Sequence, residues 1–290
     1  MKTFPILHLD QFPFDHSNGF YANTFSDHIA SHHSILTRPH KHDFFFTVFF
    51  LRGSGKHEVD FTSYEIKKGS IFMLNPGQVH HWTFSDDTEG YVLLHTKDFY
   101  ELAFPNRSIY DFPFFNLLQK KPHFLLNQNQ LLRFKQKCED LLEEYSVEKI
   151  WKSQKLASSV DILYIDLSRI FLSQQSPQKQ HISLLYMEKI RQLNQLIDKH
   201  FHSEKSPTSY ADKMNITVKH LNRITQKVLG KTTTELITAR VILEAKRMLV
   251  HSTVPVADVA AKLGYIDYSY FSRIFKKESG MSPSQFANSY

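Results

Sequence analysis

The sequence predicts a multidomain α+β protein, with a β-rich first part and an all-helical last part. Short apolar stretches separated by turn residues fill the first 125 residues. Helical spacing of apolar residues begins near residue 127, and one pattern of apolar and basic residues occurs twice after residue 182. A chain of 290 residues commonly forms about two domains.

These observations predict four segments. Residues 1–125 form a β domain, and residues 126–173 form helices that pack on it or dimerise. A linker follows over residues 174–181, where Ser173–Gln180 is polar and contains a proline. The helical domain extends over residues 182–290.

Four stretches in the first segment have the composition of strands, and turn signals with glycine or proline separate them: Phe44–Leu51, His57–Phe61, Ser70–Leu74 and Tyr91–Thr96. Short, regularly spaced strands without intervening helices are typical of a sandwich or a small barrel. The sequence therefore predicts one of these two architectures.

Two amphipathic helices follow, over Gln130–Lys149 and Trp151–Phe171. Their apolar faces favour two arrangements equally. The helices pack on the β domain, or they pair with the same helices of a second chain.

Charge is divided unevenly between the parts. From Ile182 onward, 16 Lys and Arg stand against 9 Asp and Glu, whereas the preceding residues hold 19 against 20. The excess positive charge therefore belongs to the helical domain, as expected for a surface that binds phosphate.

Several classes of protein are disfavoured. The single cysteine, Cys138, cannot form an internal disulfide. No apolar run approaches the ~20 residues that span a bilayer, and no signal peptide is evident at the N-terminus. We also find no catalytic motif or cofactor motif. We expect a cytoplasmic protein that is not an enzyme, has no cofactor and does not bind a membrane.

The duplicated pattern lies fifty residues apart. Leu221, Arg223, Ile224, Lys227 and Gly230 recur as Phe271, Arg273, Ile274, Lys277 and Gly280. Helical spacing places a polar stripe on one face of each copy, formed by Lys219, Asn222, Arg223 and Gln226 and by Ser269, Ser272, Arg273 and Lys276. Arg and Asn can each bond a base bidentately in the major groove of DNA.

Capping signals divide the last domain into seven helices. The first helix extends over Ile182–Phe201, and each of the other six begins at a capping signal: Ser206-Pro207, Thr217, Thr232 with Glu235, Pro255, Asp267 and Ser282-Pro283. Each copy of the pattern is then helix, turn and helix, and the second turn is one residue longer. We call the two helices that carry the polar stripes the reading helices. A connecting helix over Thr233–Val250 would be roughly 25 Å long and could hold the two reading helices about one DNA turn, ~34 Å, apart.

Residues 256–265, 267–277 and 280–283 closely resemble the signature of the AraC/XylS family of bacterial transcription regulators. Tyr210–Thr217, His220–Arg223, Arg240 and Glu244–Leu249 are similar to the family's first helix-turn-helix and linker helix. The resemblance implies base contacts from Lys219, Asn222 and Arg223 and from Ser269 and Arg273. Because Ser269 is short, Tyr268 or Ser272 could take its place.

The family resemblance also implies a cupin-like barrel that binds a small effector, helices that dimerise, and activation of transcription. Three segments partly match the two cupin motifs: His40-Lys-His42, Gly53-Ser-Gly55 and Gly69 through His80. The glutamate of metal-binding cupins is missing, since Asp43 is the only acid in residues 43–52. We therefore predict no metal, and an effector pocket with His40, His42, His80 and Trp82 at its rim.

Two functions remain at this stage. The first is an effector-responsive, sequence-specific transcription regulator, whose partners are double-stranded DNA, a small molecule, a second copy of the chain and, as a further candidate, RNA polymerase. The alternative is a metal-dependent cupin enzyme fused to a DNA-binding domain.

Overall fold

The computed structural model describes residues 4–12, 19–36, 38–115, 122–174, 184–251 and 255–288. The chain forms two compact units, residues 4–177 and residues 178–290. The predicted linker over 174–181 lies, apart from Gln174, outside the described residues.

Ten strands are described in the first unit: β1 Ile6–Leu7, β2 Phe20–Thr24, β3 Lys41–His42, β4 Phe45–Arg52, β5 Gly55–Val59, β6 Thr62–Ile66, β7 Ser70–Leu74, β8 His80–Phe84, β9 Glu89–His95 and β10 His123–Leu125. Hydrogen bonds join them into a five-stranded sheet with the order β10-β7-β4-β9-β2 and a three-stranded sheet with the order β6-β5-β8. Both sheets are antiparallel, while β1 and β3 form a separate parallel pair.

The β-rich first part is confirmed, but it also contains helices that the sequence analysis did not predict. These are α1, Phe25–Leu36, and α2, Lys97–Ala103. Among the described side chains of α1, Phe25, His28 and Ile29 are buried. Helix α2 begins because the Thr96 hydroxyl accepts a hydrogen bond from the Phe99 amide.

The two sheets enclose an aromatic core. Alternate residues of β4 point to opposite faces, so Phe46, Val48 and Phe50 face the three-stranded sheet while Phe45 and Phe49 belong to a different cluster. Five rings of this core are at most 2% exposed, those of Phe44, Phe46, Phe50, Phe72 and Trp82.

Helices α3, Gln128–Ser146, and α4, Lys152–Ser173, cover the other face of the five-stranded sheet. Their buried residues join those of β4, β7 and β9 in one continuous cluster. Of the two arrangements favoured by the sequence, the structure therefore shows packing on the β domain.

A buried polar contact fixes α4 to the sheet. The hydroxyl of Tyr164 lies 3.1 Å from Thr47 Oγ1 and 3.0 Å from His95 Nε2. All three residues are fully buried. The nearby carboxylate of Asp161 accepts hydrogen bonds from Tyr100 and Arg107, each at 2.7 Å, and so ties α4 to the segment that contains α2.

Four buried histidines occupy one end of the core between the sheets: His40, His42, His57 and His80. His42 Nε2 lies 3.0 Å from His80 Nε2, and His80 Nδ1 lies 2.9 Å from His57 Nε2. Burial, reinforced by neighbouring histidines, lowers the pKa of His42 to about 3 and holds the pKa of His57 and His80 well below the usual value. Burial likewise lowers the pKa of His40 to about 4.

A backbone carbonyl sets the protonation pattern along this row of rings. The Phe44 carbonyl accepts from His42 Nδ1, so the neutral ring of His42 presents an acceptor at Nε2. His80 must then donate from Nε2 and accept at Nδ1, and His57 must donate from Nε2. The row of rings ends at His57 Nδ1, which has no hydrogen-bond partner among the described residues and lies near Trp82, whose Nε1 likewise has none there.

Seven helices are described in the second unit, as the capping signals predict: α5 Leu184–His200, α6 Pro207–Lys213, α7 Val218–Leu229, α8 Thr233–His251, α9 Val256–Lys262, α10 Tyr268–Ser279 and α11 Pro283–Asn288. Helix α8 is linked to α5 through Arg240. Its guanidinium donates to Asp198 at 2.8 Å and to Glu244 at 2.9 Å, and lies 4.0 Å from the centroid of the Phe201 ring. Burial alone would raise the pKa of Glu244, but the charge of Arg240 and its hydrogen bond hold that pKa below its usual value.

We expect Tyr164→Phe to lower the free energy of unfolding of the first unit by about 1–3 kcal/mol, because Thr47 and His95 would lose a buried partner. Urea unfolding followed by tryptophan fluorescence measures this unit alone, since Trp82 and Trp151 are the only two tryptophans. Tyr91→Phe is the matched control, because its hydroxyl bonds to the partly exposed Glu139 and should cost less. Equal losses in the two variants would show that the Tyr164 contact is not stabilising.

The first unit should lose stability as the pH falls from about 6.5 towards 4. The pKa of His40 and of His95 is lowered to about 4 by burial, so the unfolded chain, with ordinary histidine pKa values, takes up protons first. The stabilisation is therefore fully present above the unfolded-state pKa and declines below it. Urea midpoints measured across this pH range give the slope of the free energy of unfolding against pH.

His95→Gln should make that slope shallower by up to about 1.4 kcal/mol per pH unit, since one titrating ring is removed. Glutamine retains a hydrogen-bonding group beside Tyr164, which limits other effects. An unchanged urea midpoint between pH 7 and pH 4 in the unsubstituted protein would contradict the prediction.

Candidate nucleic-acid interface

The first copy of the duplicated pattern is a helix-turn-helix formed by α6 and α7. Ser206 caps α6, with Pro207 in its first turn, and Thr217 caps α7 by accepting from the His220 amide at 3.2 Å. Helix α7 ends at Gly230, whose φ of +67° is a left-handed conformation that suits glycine.

The second copy, formed by α9 and α10, repeats these features. Asp267 caps α10 by accepting from the amides of Ser269 and Tyr270. Helix α10 ends at Gly280 with φ +83°, and both terminal glycines donate to the carbonyl four residues earlier. The duplication in sequence is therefore a duplication in structure.

The apolar faces of α7 and α10 are buried. Leu221, Ile224, Phe271 and Phe275 are fully buried, and Val228 is 4% exposed. Ile274, the counterpart of Ile224 in the duplicated pattern, is only partly buried. Each helix is thus fixed to the unit by one side and presents the other side outward.

The outward face of α7 carries three exposed side chains of the predicted stripe, Lys219, Arg223 and Gln226. Asn222 is partly buried, and its Oδ1 accepts a hydrogen bond from the backbone amide of Thr233 at 2.9 Å. In bidentate bonding to adenine, Asn222 Oδ1 would accept a second hydrogen bond, from the adenine amino group, in addition to the one from Thr233.

The outward face of α10 carries Tyr268, Ser269, Arg273 and Lys276, all exposed, while Ser272 is partly buried. The guanidinium of Arg273 lies 5.7 Å from the centroid of the Tyr270 ring. This distance is within the range of a cation–π contact, which would help to hold the guanidinium at the surface of the helix.

The connecting helix α8 contains 19 residues and is therefore about 28 Å long. It begins with the predicted capping box, since Thr232 Oγ1 accepts from the Glu235 amide and Glu235 accepts from the Thr232 amide. The predicted spacing of one DNA turn between the reading helices remains a prediction.

The four residues predicted for the effector pocket lie inside the first unit. His40, His42, His80 and Trp82 are each 1% exposed and belong to the core between the sheets, not to an open surface. Within the described residues, no group of three or more His, Cys, Asp or Glu side chains is arranged to hold a metal ion.

The same unit contains an open cleft of about 570 Å³ that was not predicted from the sequence. It lies between α2 and the start of α4, which are distant in sequence, so no local pattern marks it. Nine residues line it: Gly19, Thr96, Asp98, Phe99, Leu102, Ala103, Ser153, Gln154 and Ala157.

Comparisons with known proteins match both parts of the chain. Residues 210–289 match a family model described as a helix-turn-helix domain, and residues 26–145 match one described as an AraC-like ligand binding domain. The HTH-type transcriptional activator RhaR of Escherichia coli (strain K12) is 24% identical over 250 residues, which is 85% of each chain. RhaR of Shigella dysenteriae serotype 1 (strain Sd197) has the same identity and coverage.

Two solved structures are also similar. Fatty-acid-bound ToxT from Vibrio cholerae is 18% identical, with a TM-score of 0.41, and the match covers 95% of this chain and 97% of that one. The C-terminal domain of AraT, a response regulator from Geobacillus stearothermophilus, is 28% identical with a TM-score of 0.35, and the match covers 38% of this chain and 89% of that one.

The part of the chain that the structure describes has no helix both long enough and apolar enough to cross a bilayer. The two family models show that the chain contains an AraC-like ligand-binding domain and a helix-turn-helix domain, and the predicted bounds of the four segments stay a prediction. With its duplicated helix-turn-helix and its AraC-like ligand-binding domain, the chain is a transcription regulator that belongs to the AraC/XylS family.

Proposed function

We propose that this protein activates transcription in the cytoplasm by reading two successive major-groove faces of one DNA duplex from a single chain. The observation that carries the proposal is the pair of capped helices, α7 and α10, each buried on one side and exposing basic residues on the other. The relatives named as transcriptional activators support activation over repression. RNA polymerase is the partner that activation requires.

The proposed base contacts come from the exposed residues at the N-terminal half of each reading helix, since that half enters the groove. In α7 these are Lys219 and Arg223, with Gln226 one turn further on and Asn222 available through its Nδ2. In α10 they are Ser269 and Arg273, with Tyr268 and Ser272 as neighbours and Lys276 one turn further on.

We retain the four segments predicted from the sequence as the functional division of the chain. They are the effector-binding β domain over 1–125, helices over 126–173, a linker over 174–181 and the DNA-binding domain over 182–290. The described helices α3 and α4 lie within the second of these segments.

Exposed apolar residues on α3 and α4 support homodimerisation. Leu132 and Ile162 are 60% and 52% exposed although they lie on helices whose inner faces pack on the sheet. The turn between the helices adds Ile150 and Trp151, which are 84% and 67% exposed. A dimer would cover such residues and would present four reading helices to DNA.

The effector has two proposed places in the first unit. The histidine cluster offers an unpartnered acceptor at His57 Nδ1 and an unpartnered donor at Trp82 Nε1, beside the predicted His40, His42 and His80. The open cleft between α2 and α4 offers a volume of about 570 Å³, a size typical of small-molecule sites. At either place the effector regulates transcription only if it binds one arrangement of the protein more tightly than another.

Arg273→Ala should weaken binding by about 1–3 kcal/mol and relax specificity at one base pair. The measurement is a binding titration on a duplex that the full-length protein enriches from a randomised library, with every base pair varied in turn. Arg191→Ala is the matched control, because Arg191 carries the same charge on α5, where it is paired with Glu188, and does not belong to either reading helix.

An equal loss of affinity for specific and random duplexes would contradict base recognition by Arg273. Binding of the unsubstituted protein should also weaken steeply as salt increases, since Lys and Arg release counterions from the phosphates they neutralise. A flat response to salt would overturn the proposed function.

A screen of sugars, aromatic acids and fatty acids by thermal shift should identify compounds that raise the melting temperature, since a ligand of the folded state stabilises it. Ala103→Trp fills part of the cleft, whereas His57→Gln changes the open end of the histidine cluster. Loss of the shift in only one variant locates the site. A shift that persists in both variants would contradict both proposed places.

A further inference from the structure

The two turns of the duplicated motif differ by one residue, and the structure identifies that residue. In the first copy the turn contains Met214, Asn215 and Ile216 before the cap Thr217. In the second copy it contains Leu263, Gly264, Tyr265 and Ile266 before the cap Asp267.

Backbone geometry aligns the first three positions of each turn. Asn215 and Gly264 both have a left-handed φ, of +52° and +79°. The next residue donates its amide to an equivalent carbonyl 3.0 Å away, Ile216 to Ala211 and Tyr265 to Ala260. Ile266 is therefore the inserted residue.

The insertion leaves an apolar side chain in solvent. Ile216 packs against the cluster that contains Ile224 and Val228. Tyr265 takes the equivalent place in the second copy, 5.3 Å from the Phe271 ring centroid. Ile266 therefore has no core position to fill, and its exposure is 106% of the reference value, the highest among the exposed large hydrophobic residues of the described chain.

Ile266 also stands beside other exposed rings. Tyr268 and Tyr270, in the first turn of α10, are 39% and 49% exposed. All three residues lie at the N-terminal end of the helix that carries Arg273 and Lys276. This end belongs to the proposed DNA interface, so duplex DNA is the occupant that their position favours.

The major groove contains one apolar feature that an aliphatic side chain can recognise, the C5 methyl group of thymine. The residues at the N-terminal end of a reading helix are those that approach base edges. We propose that Ile266, the residue inserted in the second turn, contacts a thymine methyl group and gives the second reading helix a sequence preference that the first lacks. This inference rests on the proposed function.

The test uses the full-length protein and the duplex it enriches from a randomised library. Each thymine in turn is replaced by uracil, which removes only the methyl group. At one position in the half-site of α10, uracil should weaken binding of the unsubstituted protein roughly fourfold, the effect of removing one buried methyl group.

Ile266→Ala should lose a similar factor on the thymine duplex and should bind the thymine and uracil duplexes equally well. Leu185→Ala is the matched control, since Leu185 is an aliphatic residue on α5 that is 75% exposed in the same unit. It should keep the discrimination between thymine and uracil. Because the Ile266 side chain is fully exposed, its replacement should leave the melting temperature unchanged.

Three results would overturn the inference. Ile266→Ala could lose the same factor on thymine and uracil duplexes, which would indicate contact with the DNA backbone. It could bind DNA normally and lower transcription by purified RNA polymerase, which would indicate a protein partner. Failure to enrich any duplex would overturn the proposed function as well, whereas the first two results leave that function intact.

Discussion

The five-stranded sheet of the first unit is buried on both faces, and this constraint governs the rest of the unit. A polar side chain on such a sheet must find its partner inside the protein, since an unpaired buried group costs free energy. Thr47 and His95 find theirs in Tyr164 on α4. The helices that follow the sheet therefore complete the fold of the effector-binding unit, and any exposed apolar surface they offer to a second chain is on their outer side.

The helical unit could be predicted closely from the sequence because its signals are local. Thr217 and Asp267 cap helices through bonds to residues two or three positions away, so the pattern that predicts each helix also forms it. The outward faces of α7 and α10 followed from helical spacing alone. What spacing did not show is that Asn222 bonds to the start of α8, because that contact depends on how two helices pack.

The first unit was less predictable because its arrangement depends on pairing between distant residues. His57 was not among the candidate site residues, yet register places it opposite Trp82 and its ring bonds to His80, 23 residues away. Helix α1 was missed because its described side chains show two buried apolar residues, too few for a clear helical stripe. The cleft beside α2 is formed by residues from separate parts of the chain.

The two helix-turn-helix copies have the same backbone arrangement but differ in some side chains. The helix that follows each copy explains why Asn222 in the first copy is replaced by Ser272 in the second. Helix α8 begins at Thr233, whose amide requires the acceptor that Asn222 supplies. The equivalent first residue of α11 is Pro283, which has no amide hydrogen to satisfy. The residue equivalent to Asn222, Ser272, is therefore relieved of that role, so a short side chain is sufficient there.

The direction of the histidine row restricts the chemistry of any molecule that reaches it. Because the Phe44 carbonyl orients each successive ring, the terminal nitrogen on His57 can only accept. A molecule bearing an alcohol or an amine can donate to it without disturbing the core. An ether, a ketone or a carboxylate could not, unless all three rings reversed together and gave up the carbonyl that orients them. The Phe44 carbonyl, which contacts only the first of the three rings, thus determines which functional groups of a bound molecule can form a hydrogen bond with the third.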